Sequence, residues 1–124
     1  MAKILIVDDE PQLREMLTDM LEMDEHEVVE AVNGVEGVKK YHESKPDLII
    51  TDLVMPEQNG IDMLLELKKK VPNLSVLAIS GGGGITGSFD YLPIAKLIGA
   101  KQVLKKPFGI DELREAVTLA IGGA

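Results

Sequence analysis

The chain has 124 residues, 45% of them hydrophobic but only 3% aromatic, and no cysteine. One domain over residues 1–124 is expected, with a core of Leu, Ile, Val, Met and Ala; disulfides, thiolate metal sites and cysteine nucleophiles are excluded, and a reducing cytoplasmic location fits. Thirteen basic against 21 acidic residues give a formal charge of −8, which opposes attraction to nucleic-acid backbones and anionic membranes.

Lys3-Ile4-Leu5-Ile6-Val7 is a run of β-formers that ends in Asp8, Asp9 and Glu10, and so reads as a strand buried on both faces with carboxylates at its end. Asp8 also interrupts the amino terminus before a signal-peptide core forms, and no apolar run approaches the ~20 residues of a membrane span. Pro11 suits a first helical turn, and Leu13, Met16, Leu17, Met20 and Leu21 follow at helical spacing. Glu27 to Ala31 is a short strand. Asn33-Gly34 turns into a second helix, about Val35 to Glu43, whose apolar side is expected to be Val35, Val38 and Tyr41. Leu48 to Ile50 is a third buried strand, ended by Asp52. A Pro56-to-Gly60 turn leads to a third helix, about Ile61 to Lys70, with Ile61, Leu64, Leu65 and Leu67 inside and lysines at its carboxyl end.

Leu74 to Ser80 is a fourth strand that runs into four glycines, Gly81 to Gly84, a loop expected to be a moving part. A fourth helix follows, about Asp90 to Ile98, with Pro93 in its first turn and Gly99 at its end. Gln102 to Lys105 is a fifth strand, Lys106-Pro107-Phe108 a turn, and Ile110 to Ile121 a last helix with Ile110, Leu113, Val117 and Ile121 inside. Strands alternating with helices predict an α/β fold: a parallel sheet covered on both faces.

In such a sheet Asp8, Asp9, Asp52, Ser80 and Lys106 all lie at the carboxyl ends of strands, along one edge, where open α/β sheets bind ligands. Taken singly each has another reading: Asp52 as a turn or cap residue, Asp8 and Asp9 as helix-start acids, Ser80 as a turn residue, Lys106 as a solvated lysine. Grouped carboxylates require a cation, since two of them ~4 Å apart repel by roughly 4 kcal/mol at an effective dielectric of 20. Mg²⁺, which prefers about six oxygens and keeps several waters, answers that need. His26 and His42 lie away from these strand ends and read as surface or packing residues.

Val7-Asp8-Asp9-Glu10, Asp52 with Met55-Pro56 and Gly60 downstream, Ser80, and Lys106-Pro107-Phe108 together resemble the receiver domain of bacterial two-component response regulators, the CheY-like family. The resemblance covers the whole chain. It implies a flavodoxin-like doubly wound five-stranded sheet of order 2-1-3-4-5, with strands one and three adjacent at the switch point so that Asp8, Asp9 and Asp52 converge. It also implies an aspartyl-phosphate switch. Asp52 is then the phosphoacceptor for a histidine kinase or histidine phosphotransfer protein. Asp9, Asp52 and the Val54 carbonyl are direct Mg²⁺ ligands, Asp8 acts through a metal-bound water, and Ser80 and Lys106 contact the phosphoryl oxygens. Output to a protein partner is implied for the face made by the fourth helix, fifth strand and last helix.

The chain departs from the family pattern in two places. Val103 stands three positions before the lysine, where an aromatic residue is common, and the glycine-rich segment after Ser80 is long, so that phosphorylation is expected to order Gly81 to Gly87. Rival readings fit the residues less well. Gly87 is followed by Ser88 and not by the Lys of a Walker loop, Val54 replaces the second acid of aspartyl phosphatases, and Asp8, Asp9 and Glu10 repel a flavin phosphate. The remaining alternative is a receiver-fold interaction module that works without phosphorylation; it predicts loss of the acid pair, the acceptor or the lysine, and none is lost.

Overall fold

A computed structural model describes residues 2–52, 60–80, 99–105 and 108–122. The β-rich segments become five strands: β1 (Lys3–Val7), β2 (Glu27–Ala31), β3 (Leu48–Asp52), β4 (Val76–Ser80) and β5 (Gln102–Lys105). All pair in parallel, in the order β2-β1-β3-β4-β5, which is the doubly wound, flavodoxin-like arrangement. The described helices are α1 (Pro11–Met23), α2 (Gly34–Ser44), α3 (Gly60–Lys70) and α4 (Ile110–Gly122). The expected Gly81–Gly84 loop, the helix over Asp90 to Ile98, and the Lys106-Pro107 part of the turn before Phe108 lie outside the described residues. Gly99 has φ +85°, the left-handed backbone that glycine adopts readily.

Side chains alternate across the strands, so each strand feeds two cores. On one face Ile4, Ile6, Leu48, Ile50, Leu77 and Ile79 pack with Leu17 and Leu21 of α1 and Leu113 and Val117 of α4. On the other, Leu5, Val7, Ile49 and Ala78 pack with Met63, Leu64 and Leu67 of α3. The central strands β1 and β3 are therefore almost wholly buried, as their unbroken apolar runs require.

The start of α2 has a local cause. Asn33 caps α2: its Oδ1 accepts the Glu36 N–H at 2.9 Å, while the Glu36 carboxylate accepts the Val32 N–H at 3.2 Å, a near-reciprocal capping arrangement. The helix ends at Lys45, in the left-handed conformation with φ 48°. His26 has a packing role, since its Nδ1 accepts the Ala2 N–H at 3.0 Å where β1 begins. His42 is exposed and meets the Tyr41 ring edge-on, with centroids 5.9 Å apart. The lysines Lys68, Lys69 and Lys70 do lie in the last turn of α3.

Two expected core residues point outward. Val35 is 60% exposed and Leu65 48%, whereas Gly34, Gly37 and Met63 are buried. Close approach explains the change on α2. A Cβ at Gly37 would lie 2.5 Å from the Met63 sulfur and 3.1 Å from a Val7 methyl. The helix thus docks through its glycines, with Val38 and Tyr41 packed at the margin. Among the described residues no helix is long and apolar enough to cross a membrane.

Candidate functional site

The register of the central strands sets the site. Val7 of β1 is paired with Thr51 of β3, so the next residues, Asp8 and Asp52, stand side by side at the carboxyl edge. Asp8 has the strand parity of Ile4 and Ile6, and Asp52 that of Leu48 and Ile50, so both carboxylates belong to the face covered by α1. The switch point lies there, because β1 is followed by β2 on one side and β3 is followed by β4 on the other.

Both groups are withdrawn from water: Asp8 is 1% exposed and Asp52 7%. The Asp8 N–H continues the pairing of β1 with β2 by donating to the Ala31 carbonyl at 3.1 Å. Its side chain turns the chain toward α1, with Oδ1 accepting the Glu10 N–H at 2.8 Å. Arg14 of α1 donates from Nη1 to the Asp8 carbonyl at 2.7 Å. Behind Asp52, the buried Thr51 hydroxyl donates to the Asp52 carbonyl at 2.8 Å.

Carboxylate oxygens of Asp8, Glu10 and Asp52 lie within 4.8 Å of one another. Glu10 was not among the expected ligands. Asp9, which was, is exposed and is not one of the three. The sequence did carry a signal for Glu10: it is the acid that immediately precedes the helix, where the chain folds back over the strand end. Of the remaining expected residues, Ser80 ends β4 and is paired with Lys105 of β5. The Ser80 side chain, Val54 and Lys106 lie outside the described residues.

The donor set fits a hard divalent cation. Three anionic oxygen ligands and neither sulfur nor imidazole suit Mg²⁺ or Ca²⁺ over softer metals. At the ~2.1 Å Mg–O distance, oxygens on adjacent octahedral corners are roughly 3 Å apart and those on opposite corners roughly 4.2 Å. A group already within 4.8 Å needs little movement to reach that spacing.

A doubly wound parallel sheet with paired acids at its switch point defines a class: flavodoxin-like α/β proteins with an oxygen-ligand site at the carboxyl edge. Within that class the comparison with known proteins is specific. The response regulator receiver domain family matches residues 4–118, and this chain belongs to it. Chemotaxis protein CheY of Listeria monocytogenes is 40% identical over 121 residues, covering 97% of this chain and 98% of that protein. Sporulation initiation phosphotransferase F of Bacillus subtilis is 32% identical over 115 residues, covering 93% and 90%. The crystal structure of a response regulator receiver domain protein from Clostridium thermocellum superposes with a TM-score of 0.86 at 34% identity, covering 99% of this chain and 96% of that one. The chain is thus a receiver domain of the two-component type, and the sheet order agrees with the one the resemblance implied.

Proposed function

We propose that this receiver domain is switched by Mg²⁺-dependent phosphorylation of Asp52. The observation that carries the reading is the convergence of the Asp8, Glu10 and Asp52 carboxylates within 4.8 Å at the switch point. A carboxylate Oδ of Asp52 attacks the phosphorus of a phosphohistidine on a kinase or phosphotransfer protein. The P–N bond breaks, its electron pair returns to the imidazole, and Asp52 becomes an acyl phosphate. Transfer of this kind depends on in-line positioning and on charge neutralisation at the equatorial oxygens.

Mg²⁺, when bound, supplies that neutralisation. Asp8, Asp9 and Asp52 with the Val54 carbonyl are the residues assigned to hold it, and Glu10 joins them on the strength of its position. Ser80 and Lys106 are assigned to the phosphoryl oxygens, the serine as donor and the lysine as counter-charge. The added phosphate brings negative charge and acceptor oxygens, and drawing Ser80 toward it resets the segment after β4. With Val103 in place of an aromatic residue, that backbone movement carries the signal toward α4 and β5, where a downstream protein docks. The relatives named for chemotaxis and for phosphotransfer support an output through protein partners.

Incubation with acetyl phosphate and Mg²⁺, followed by intact mass, tests the reading. The expected result is one phosphate added to the wild type and none to Asp52→Asn or to wild type in EDTA. An unmodified wild type favours the phosphorylation-independent interaction module instead.

A further inference from the structure

The start of α1 has Pro11 in its first turn, as helix starts often do, but lacks other usual features of a helix amino terminus. Glu10 occupies the N-cap without a side-chain cap bond, and no acidic residue follows in the first turn. A cation, Arg14, stands at the fourth helical position, near the end whose dipole disfavours positive charge. Arg14 is poorly placed for the helix dipole but well placed for the acidic group, and departures from local rules are expected at functional sites.

Arg14 is held in two directions. Its Nη1 donates to the Asp8 carbonyl at 2.7 Å and its Nε pairs with the Glu30 carboxylate of β2 at 3.2 Å. Only 14% of its side chain is exposed. One planar guanidinium thus joins α1, β2 and the end of β1, and the Asp8 that it grips also accepts the Glu10 N–H. The connection runs from Glu30 through Arg14 to the backbone of Asp8, and from there to both acids that face Asp52.

We infer that Arg14 is a positioning residue for the metal site: it fixes the Asp8 peptide and so aims the Asp8 and Glu10 carboxylates at Asp52. The inference rests on the Mg²⁺-dependent reading of that site. Its sign is distinctive. A cation beside a metal site repels the metal, so if Arg14 acted only as a charge, its removal would tighten Mg²⁺ binding. A positioning role predicts the opposite, and it predicts that lysine cannot substitute, because a single ammonium does not present the two-directional fork.

Calorimetric Mg²⁺ titrations of the unphosphorylated protein decide between them. Outer-shell partners of metal ligands change affinity by about 10–100-fold, so Arg14→Gln and Arg14→Lys are each expected to bind Mg²⁺ about tenfold more weakly. Glu30→Gln weakens binding in the same direction but less, and it decides the matter should circular dichroism show the Arg14 variants unfolded. Arg114→Gln, which removes the 2.9 Å pair with Asp24 between α4 and the end of α1, leaves Mg²⁺ affinity unchanged. Unchanged or tighter Mg²⁺ binding in folded Arg14 variants overturns the positioning role alone. A wild type that binds no Mg²⁺ overturns the reading of the site itself.

Discussion

Replacing Asp52 by Asn should stabilise the metal-free protein. Asp8 and Asp52 are both buried and their oxygens lie within 4.8 Å, so at an effective dielectric of 20 their repulsion is about 3.5 kcal/mol. The amide of Asn has nearly the same shape and removes that repulsion, while forfeiting charge-assisted hydrogen bonds of roughly 1.5–3 kcal/mol. A net gain of about 0.5–2 kcal/mol follows. At an unfolding entropy of ~2.1 cal/mol/K per residue, a chain of 124 residues converts this to a Tm increase of roughly 2–8 °C. Thermal unfolding followed by far-ultraviolet circular dichroism in EDTA measures it. Adding Mg²⁺ then reverses the order. A ligand at a hundred times its Kd stabilises the wild type by about 2.7 kcal/mol, and the variant, short of one ligand, gains much less. An Asp52→Asn protein that melts below wild type in EDTA, or gains as much from Mg²⁺, refutes the electrostatic account.

Gly37→Ala places a methyl 2.5 Å from the Met63 sulfur; overpacking of about 1–3 kcal/mol less a helix-propensity gain near 1 kcal/mol leaves a net loss of about 1 kcal/mol. Urea unfolding should show that loss shrink in a Met63→Ala background, and equal losses in both backgrounds would disprove the contact. Asn33→Ala removes the α2 cap, whose Oδ1 accepts the Glu36 N–H at 2.9 Å, and should cost about 1 kcal/mol in the same assay. Desolvation holds the Tyr41 phenol above its usual 10.0, so the folded state keeps a proton that the unfolded chain loses. Stability from this residue is therefore intact below pH 10 and lost as pH rises through the folded value. Absorbance titration of Tyr91→Phe, which leaves Tyr41 the sole tyrosine, should give an ionisation above 10 that falls back when the protein is unfolded in urea.

The strands were legible because β1 and β3 are unbroken apolar runs, and only burial on both faces accommodates Ile4 to Val7 and Leu48 to Ile50. The described helices were legible in extent but less so in orientation. Val35 and Leu65 carry the right periodicity yet face outward, since a helical stripe of apolar residues does not say how closely the helix approaches the sheet. At the site, Asp8 and Asp52 could be picked out as acids ending buried strands. Glu10 could be seen only as the acid before the helix; its place beside Asp8 and Asp52 depends on which way the chain turns after Val7.

The amino-acid sequence by itself determined the alternation of strands and helices, the two-sided core and the strand ends that bear the acids, all properties of local pattern and hydrophobicity. Tertiary structure alone decided that α2 rests on Gly37, and that Arg14 grips the Asp8 peptide while Glu10 joins Asp8 and Asp52. Those outcomes depend on register and close approach between segments far apart in the chain, and no local pattern encodes such distances.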